Sequence, residues 1–358
     1  MSATEISVPY SRKFDKVRKL ASILIALLLL AAPALAENTV LVPTPSHETC
    51  VGIEDQIYHD VDTKEYSRLE ALANQLLVSK QSFENGNWAL QAFFDAFVGE
   101  RKDWDAFLPK VEAWVKAYPN SSFARTAMTE AYLGYAWAGR GYGYADKVSN
   151  RQWKTFEERT KLAHDTLEKA RGLRPFCPAW YLAALTLNLA ENTGTAVSNK
   201  LVDECMAKEP TFYNILNTEA SYNLQPKWCG SSGEWQRFAA AWADKVGGDA
   251  GDILYARIIW QVDGANPSRS IIQPGVSWKR MKHGFDLLMR KYPNSLLVAS
   301  RYALYAGQAN DFPTVKWLFV NRLQNKADKS TWKTIQRFNS WKAWVATLPN
   351  AGSSRSAP

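Results

Sequence analysis

The chain has 358 residues, 43 Lys and Arg against 35 Asp and Glu, and a net charge of +8. Acids interleave with bases and no basic block of five or more occurs, which excludes a nucleic-acid footprint. Four His and four Cys form no HExxH, HxxxH or CxxC spacing, so neither a metal set nor a cofactor site is expected.

Taken in chain order, residues 1–36 carry a basic lead (Arg12, Lys13, Lys16, Arg18, Lys19), a short apolar run and then Ala34-Leu35-Ala36. This is the pattern of a signal peptide cleaved before Glu37, and it predicts a periplasmic or secreted protein with no stable membrane insertion after cleavage. The apolar run is shorter than the roughly 18–20 residues that span a bilayer. Residues 37–63, with two prolines and little periodicity, are expected to form an extended N-terminal lead. Residues 64–346 are expected to form a helical-repeat domain, and 347–358 a disordered tail.

From Lys64 onward, segments of helical spacing alternate with Gly, Pro, Asn or Ser punctuation. In 153–173, Phe156, Ala163, Leu167 and Ala170 share one face, while Glu157 and Lys161, and Asp165 and Lys169, stand at i,i+4 on another. Ser149-x-x-Gln152 and Ser231-x-x-Glu234 match the capping box. Alternating β runs with Asn-Gly or Asp-Gly turns do not follow residue 60, so the predicted class is all-α. Pro175 and Pro210 end helices 35 residues apart, and Tyr-Pro-Asn-Ser occurs twice, at Tyr118–Ser121 and Tyr292–Ser295, each time before an Ala-rich helix. The period is close to 34, with insertions at 139–150 and 264–276.

These residues resemble the tetratricopeptide-repeat superfamily of helix-turn-helix units. The pieces FENGNWALQAFFDAF, AYLGYAWAGRGYGYAD, FCPAWYLAALTLNLA and GDILYARIIW are similar to a bacterial exported family of unknown function built from such hairpins, over roughly residues 64 to 325. The resemblance implies a right-handed superhelix of stacked antiparallel helix hairpins, with loop insertions and a concave inner face.

The chemistry-bearing motifs are sparse. Gly230-Ser231-Ser232-Gly233 lacks the GxSxG spacing of a nucleophile elbow. Gly139, Gly141 and Gly143 follow a helix rather than a strand, which excludes a dinucleotide cradle. That insertion nevertheless concentrates Tyr135, Trp137, Arg140, Tyr142, Tyr144 and Asp146. It is either a binding loop, with Arg140 as the donor to an anion or carboxylate, or a cap folded onto its own helices. Most of the 15 Trp are assigned to the core and the remainder to the inner groove. The carboxylate pairs Glu157/Glu158 and Asp60/Asp62 sit in surface or linker contexts and are read as solvated. Cys177 and Cys205 stand at ends that a helical hairpin would bring together, so they are the disulfide candidates, with buried thiols as the alternative.

The expected function is a non-enzymatic exported scaffold that binds a protein or peptide partner on its concave face. The alternatives are a glycan- or peptidoglycan-binding envelope protein and an enzyme whose site is assembled from distant residues.

Overall fold

In this computed structural model, residues 39–99, 101, 103–141, 145–265 and 271–348 are described. The expected signal peptide and residues 349–358 of the expected tail lie outside them. The described residues form sixteen α-helices: α1 (Pro45–Asp62), α2 (Tyr66–Ser79), α3 (Ala89–Val98), α4 (Trp104–Ala117), α5 (Ser122–Arg140), α6 (Asn150–Ala170), α7 (Ala179–Glu191), α8 (Thr195–Lys208), α9 (Asn214–Ser221), α10 (Glu234–Val246), α11 (Gly248–Ala265), α12 (Trp278–Lys291), α13 (Leu296–Gln308), α14 (Phe312–Leu318), α15 (Lys329–Trp332) and α16 (Ile335–Ala346). The fold is all-helical apart from two three-residue strands, β1 (Val40–Val42) and β2 (Lys326–Asp328), which pair in parallel. No helix among the described residues is long and apolar enough to cross a membrane.

The two Tyr-Pro-Asn-Ser motifs build the same turn. Tyr118 ends α4 by donating its amide to the Trp114 carbonyl at 2.9 Å, and Ser121 then caps α5 by accepting from the Ala124 amide at 3.0 Å. Tyr292 ends α12 on the Leu288 carbonyl at 2.8 Å, and Ser295 caps α13 through the Val298 amide at 3.2 Å. Proline lacks an amide hydrogen and cannot extend the first helix, while serine satisfies an orphan donor of the next. The Ser149 capping box forms in full. The Ser231 motif forms only in part: Glu234 reaches back to the Ser231 amide at 2.6 Å, but Gly233 is the cap and α10 starts at Glu234 itself.

Each helix from α4 to α13 packs on its successor, and alternate helices pack on one another as well, α3 on α5, α5 on α7, α7 on α9 and α9 on α11. Two layers result, with aromatic side chains between them. Trp114 on α4 lies over Phe97 on α3 at 5.9 Å and donates its indole hydrogen to Glu70 at 3.0 Å. At two crossings the backbones touch. A Cβ on Gly134 would meet the Val98 carbonyl oxygen at 2.7 Å, and one on Gly284 would meet the Asp252 carbonyl oxygen at 2.2 Å. Helix propensity alone favours Gly284→Ala by about 1 kcal/mol, but overpacking against backbone costs about 1–3 kcal/mol. The expected result is a lower thermal midpoint, and a raised one would contradict this crossing.

The expected extended lead is instead largely helical. Pro45 occupies the first turn of α1, Thr44 accepts from the His47 amide at 3.2 Å, and Ile53, Ile57 and Val61 bury one stripe at a spacing of four. Before it, β1 pairs with a strand near the other end of the chain, and Thr39 Oγ1 donates to Asn339 at 2.9 Å. A second set of long-range ties holds residues 80–88. Arg257 on α11 is buried and donates to the Glu84 carbonyl at 2.9 Å, and Ser295 donates to the Glu84 carboxylate at 3.2 Å. Two N-terminal segments, the strand before α1 and the stretch between α2 and α3, are thereby tied to later parts of the chain.

The expected Cys177–Cys205 disulfide is absent. The hairpin of α7 and α8 does pack, but all four cysteines are free. Cys177 Sγ accepts from the Ala179 and Trp180 amides at the start of α7, and burial pushes both thiols up to about 12. Because the thiolate is the reactive form, Cys177 and Cys205 are expected to resist Ellman's reagent in the native protein. All four thiols are expected to titrate after denaturation without reductant, and two missing thiols would contradict the assignment.

Candidate binding cleft

The alternate helices α3, α5, α7, α9 and α11, with residues on the loops after α5 and α9, enclose one cleft of about 1280 Å³. Every helix of one layer thus contributes to a single concavity, and Trp104 of α4 and Trp153 and Phe156 of α6 line it as well. The α7 wall is apolar, with Leu182, Leu185, Leu189 and Ala190. Carboxamides stand around α9: Asn214 accepts from the Trp88 amide at 2.8 Å, and Asn217 donates to Asn87 Oδ1 at 2.7 Å. Asn223 belongs to the same group and accepts from Asn188 at 2.9 Å. Several of these amides keep a polar atom without a protein partner, namely Asn214 Nδ2, Asn217 Oδ1 and Gln91 Oε1.

At one end of the cleft, indoles and a guanidinium lock together. Trp137 meets Phe156 edge-on at 4.9 Å and Trp228 edge-on at 5.7 Å. Arg140, only 7% exposed, lies 5.4 Å from the Trp137 ring and 5.0 Å from the Trp153 ring, and donates to the Gly141 carbonyl at 3.1 Å. Gln152 of α6 donates to the Arg140 carbonyl at 3.3 Å and so ties the end of α5 to the next helix.

Of the residues singled out on the glycine-rich insertion, Trp137 and Arg140 line this cleft. Tyr135 does not. Its ring stacks on Trp104 at 5.5 Å, its hydroxyl donates to Asp105 at 2.5 Å, and the Arg159 guanidinium covers its face. Asp146 pairs with Lys147 at 3.3 Å on the exposed surface. Tyr142 and Tyr144 lie outside the described residues.

Ten residues before Arg140 on the same helix, about 15 Å along its axis, the cleft holds two carboxyls absent from the sequence-level candidates. Glu130 on α5 is 4% exposed, lines the cleft, and has no hydrogen-bond or ion-pair partner among the described residues. Burial first, and the neighbouring Asp95 charge second, push it up to about 8. Asp95 on α3 is exposed to solvent and accepts a 2.6 Å hydrogen bond from Gln91; the protein packed around it, with the Glu54 charge, still pushes its carboxyl upward. A third acid, Glu219 on α9, is fully buried, accepts from Ser198 at 2.5 Å, and is raised by burial to about 7. The available cue was a lone acid inside an apolar helix, Asp95 between Phe94 and Ala96 and Glu130 between Thr129 and Ala131.

Two histidine–acid contacts occur elsewhere. His164 meets Glu191 at 2.8 Å and His283 meets Asp252 at 2.8 Å. Both are exposed bridges between packed helices, outside the cleft lining. Among the described residues no group of three or more His, Cys, Asp or Glu could hold a metal. Comparison with models of protein families, with curated proteins and with solved structures finds no match.

Proposed function

We propose that this chain is an exported, non-enzymatic scaffold of tetratricopeptide-like hairpins wound into a right-handed superhelix, and that its cleft seats an extended segment of a protein or peptide partner. The observation that carries this reading is that five alternate helices line one concavity. An apolar wall accepts side chains, and the carboxamides facing it supply both donors and acceptors for a partner's main chain. The same lining argues against a glycan. Sugar rings need open indole faces, whereas Trp137 is engaged by Phe156 and Trp228, and Trp104 is 6% exposed beneath Tyr135.

A random-peptide display selection tests this. Wild-type protein is expected to enrich a consensus peptide, and Thr218→Trp, which fills the cleft from α9, is expected to weaken its binding at least about tenfold, as for loss of a central contact. Bound peptide is also expected to shield Cys229, a cleft-lining thiol, from alkylation. No enrichment, or equal binding by Thr218→Trp, would remove the reading; a glycan array bound through the same cleft would replace it. The raised carboxyls of Asp95 and Glu130 favour one competing reading, an acid–base enzyme. Chemical turnover of any cleft ligand, lost in Glu130→Gln, would establish that reading instead.

A further inference from the structure

We propose that the Glu130 and Asp95 end of the cleft is a subsite for an organic cation, the lysine or arginine side chain of the bound segment. This deepens the cleft reading above and rests on it. Glu130 is an ionisable group nearly withdrawn from water, and no donor satisfies it among the described residues. Asp95 stands near enough to raise it, and among the described residues no lysine or arginine is paired with either carboxyl. A buried carboxyl is costly unless paired, so Glu130, with the exposed Asp95 beside it, is completed by a group that brings its own charge and donors. Acceptors outnumber donors at this end, since Gln91 donates one amide hydrogen to Asp95 and keeps its buried Oε1 without a partner. An ammonium offers three donors and a guanidinium five. The ring of Tyr222, exposed in the cleft and influenced by Asp95, adds an aromatic surface of the kind that cations favour. A metal ion would need more ligands than these two acids supply.

Binding a cation here is coupled to proton loss. Glu130, raised to about 8 in the empty cleft, holds its proton at neutral pH and releases it when a positive group arrives. The groups facing it are Asp95 from α3, itself facing Glu54 of α1, with Tyr222 beyond α9; Arg140 and Lys227 line the cleft as well, with Arg140 nearly three turns along α5. Affinity for a cation therefore rises between pH 6 and pH 9, whereas a neutral ligand that accepts from the protonated carboxyl loses affinity over the same range.

The test is a calorimetric titration of the full protein with hexalysine, with hexalysine fully acetylated on its side chains, and with a neutral N-acetylglucosamine hexamer. Hexalysine is expected to bind with proton release, visible as a heat that depends on the buffer's ionisation enthalpy. Acetylation and Glu130→Gln are each expected to weaken it at least about tenfold, as for loss of a charge-assisted hydrogen bond. Asp95→Asn, on a separate helix, is expected to act in the same direction. The thermal midpoint of each variant establishes that it is folded. Absence of saturable hexalysine binding, equal binding of the acetylated peptide, or an unaffected Glu130→Gln overturns the cation subsite. If display-selected peptides still bind and still lose affinity in Thr218→Trp, the cleft reading survives that failure. Retention of the neutral hexamer by Glu130→Gln overturns the subsite in favour of a glycan.

Discussion

Trp88→Ala is expected to lower the stability of the protein by about 3–5 kcal/mol, the usual cost of deleting a buried indole. Trp88 is 2% exposed, meets Phe212 edge-on at 5.2 Å, and donates its ring hydrogen to the Thr211 carbonyl at 3.0 Å. Its own amide donates to Asn214 at 2.8 Å. These bonds join the residue that precedes α3 to the turn that precedes α9, and α3 and α9 are two walls of the cleft. The substitution removes packing and leaves the Thr211 carbonyl and part of Phe212 without a partner. Chemical denaturation should register the loss of stability, and peptide affinity should fall with it because the walls are no longer held at one spacing. Trp88→Phe keeps most of the volume and deletes mainly the ring hydrogen bond, worth about 1 kcal/mol. An alanine variant as stable as wild type would show that the two walls are held by something other than this indole.

Glu130→Gln is expected to stabilise the free protein at alkaline pH and to change little at pH 5. The sign follows from the proton balance. The carboxyl titrates at about 4.5 in the unfolded chain and at about 8 in the fold, so the native state holds more protons between these limits. The stability that Glu130 contributes is fully present below about 4.5 and is lost as pH rises through about 8. Glutamine mimics the protonated form at every pH and escapes that decline. Each unit of upward shift corresponds to about 1.4 kcal/mol, so the variant should gain several kcal/mol over wild type by pH 9. Thermal midpoints of the two proteins across pH 5 to 9 measure it, and a constant gap would mean that Glu130 is not held in its neutral form. A residue that destabilises the empty protein but strengthens cation binding would place stability and ligand recognition in opposition at one position.

The helical class was legible because the punctuation is local. Ser121, Ser149 and Ser295 each cap the helix that follows them, and a serine before an apolar run carries that information without reference to the rest of the fold. Helix α1 was not legible as such, since only Ile53, Ile57 and Val61 mark its buried face in a largely polar segment. The long-range ties were hidden for a different reason. They depend on Trp88 reaching Thr211, on Arg257 reaching Glu84 and on β1 reaching β2, pairings between residues far apart in the chain that leave no periodic trace. The free state of Cys177 was equally obscure, because hairpin spacing can bring two cysteines near each other but cannot reveal that one sulfur already accepts from the amides of the next helix.

The cleft was partly legible. A glycine-rich insertion crowded with aromatics drew attention to Trp137 and Arg140, both of which line it. The same signal included Tyr135 and Asp146, which face neighbouring helices or solvent. Glu130 and Asp95 were missed because a single acid in a helix ordinarily marks a solvated face. Here Glu130 is buried by the alternate-helix packing and the exposed Asp95 lines the same cleft, a juxtaposition that only the layer as a whole reveals.

Hydrogen exchange with and without a display-selected peptide tests the cleft most directly. The peptide is expected to protect amides in α3, the second half of α5, α9 and the loop after it, with little change in α8, α10 or α12, none of which lines the cleft. Protection confined to those outer helices, with the cleft helices unchanged, would contradict the assignment of the concavity as the binding surface.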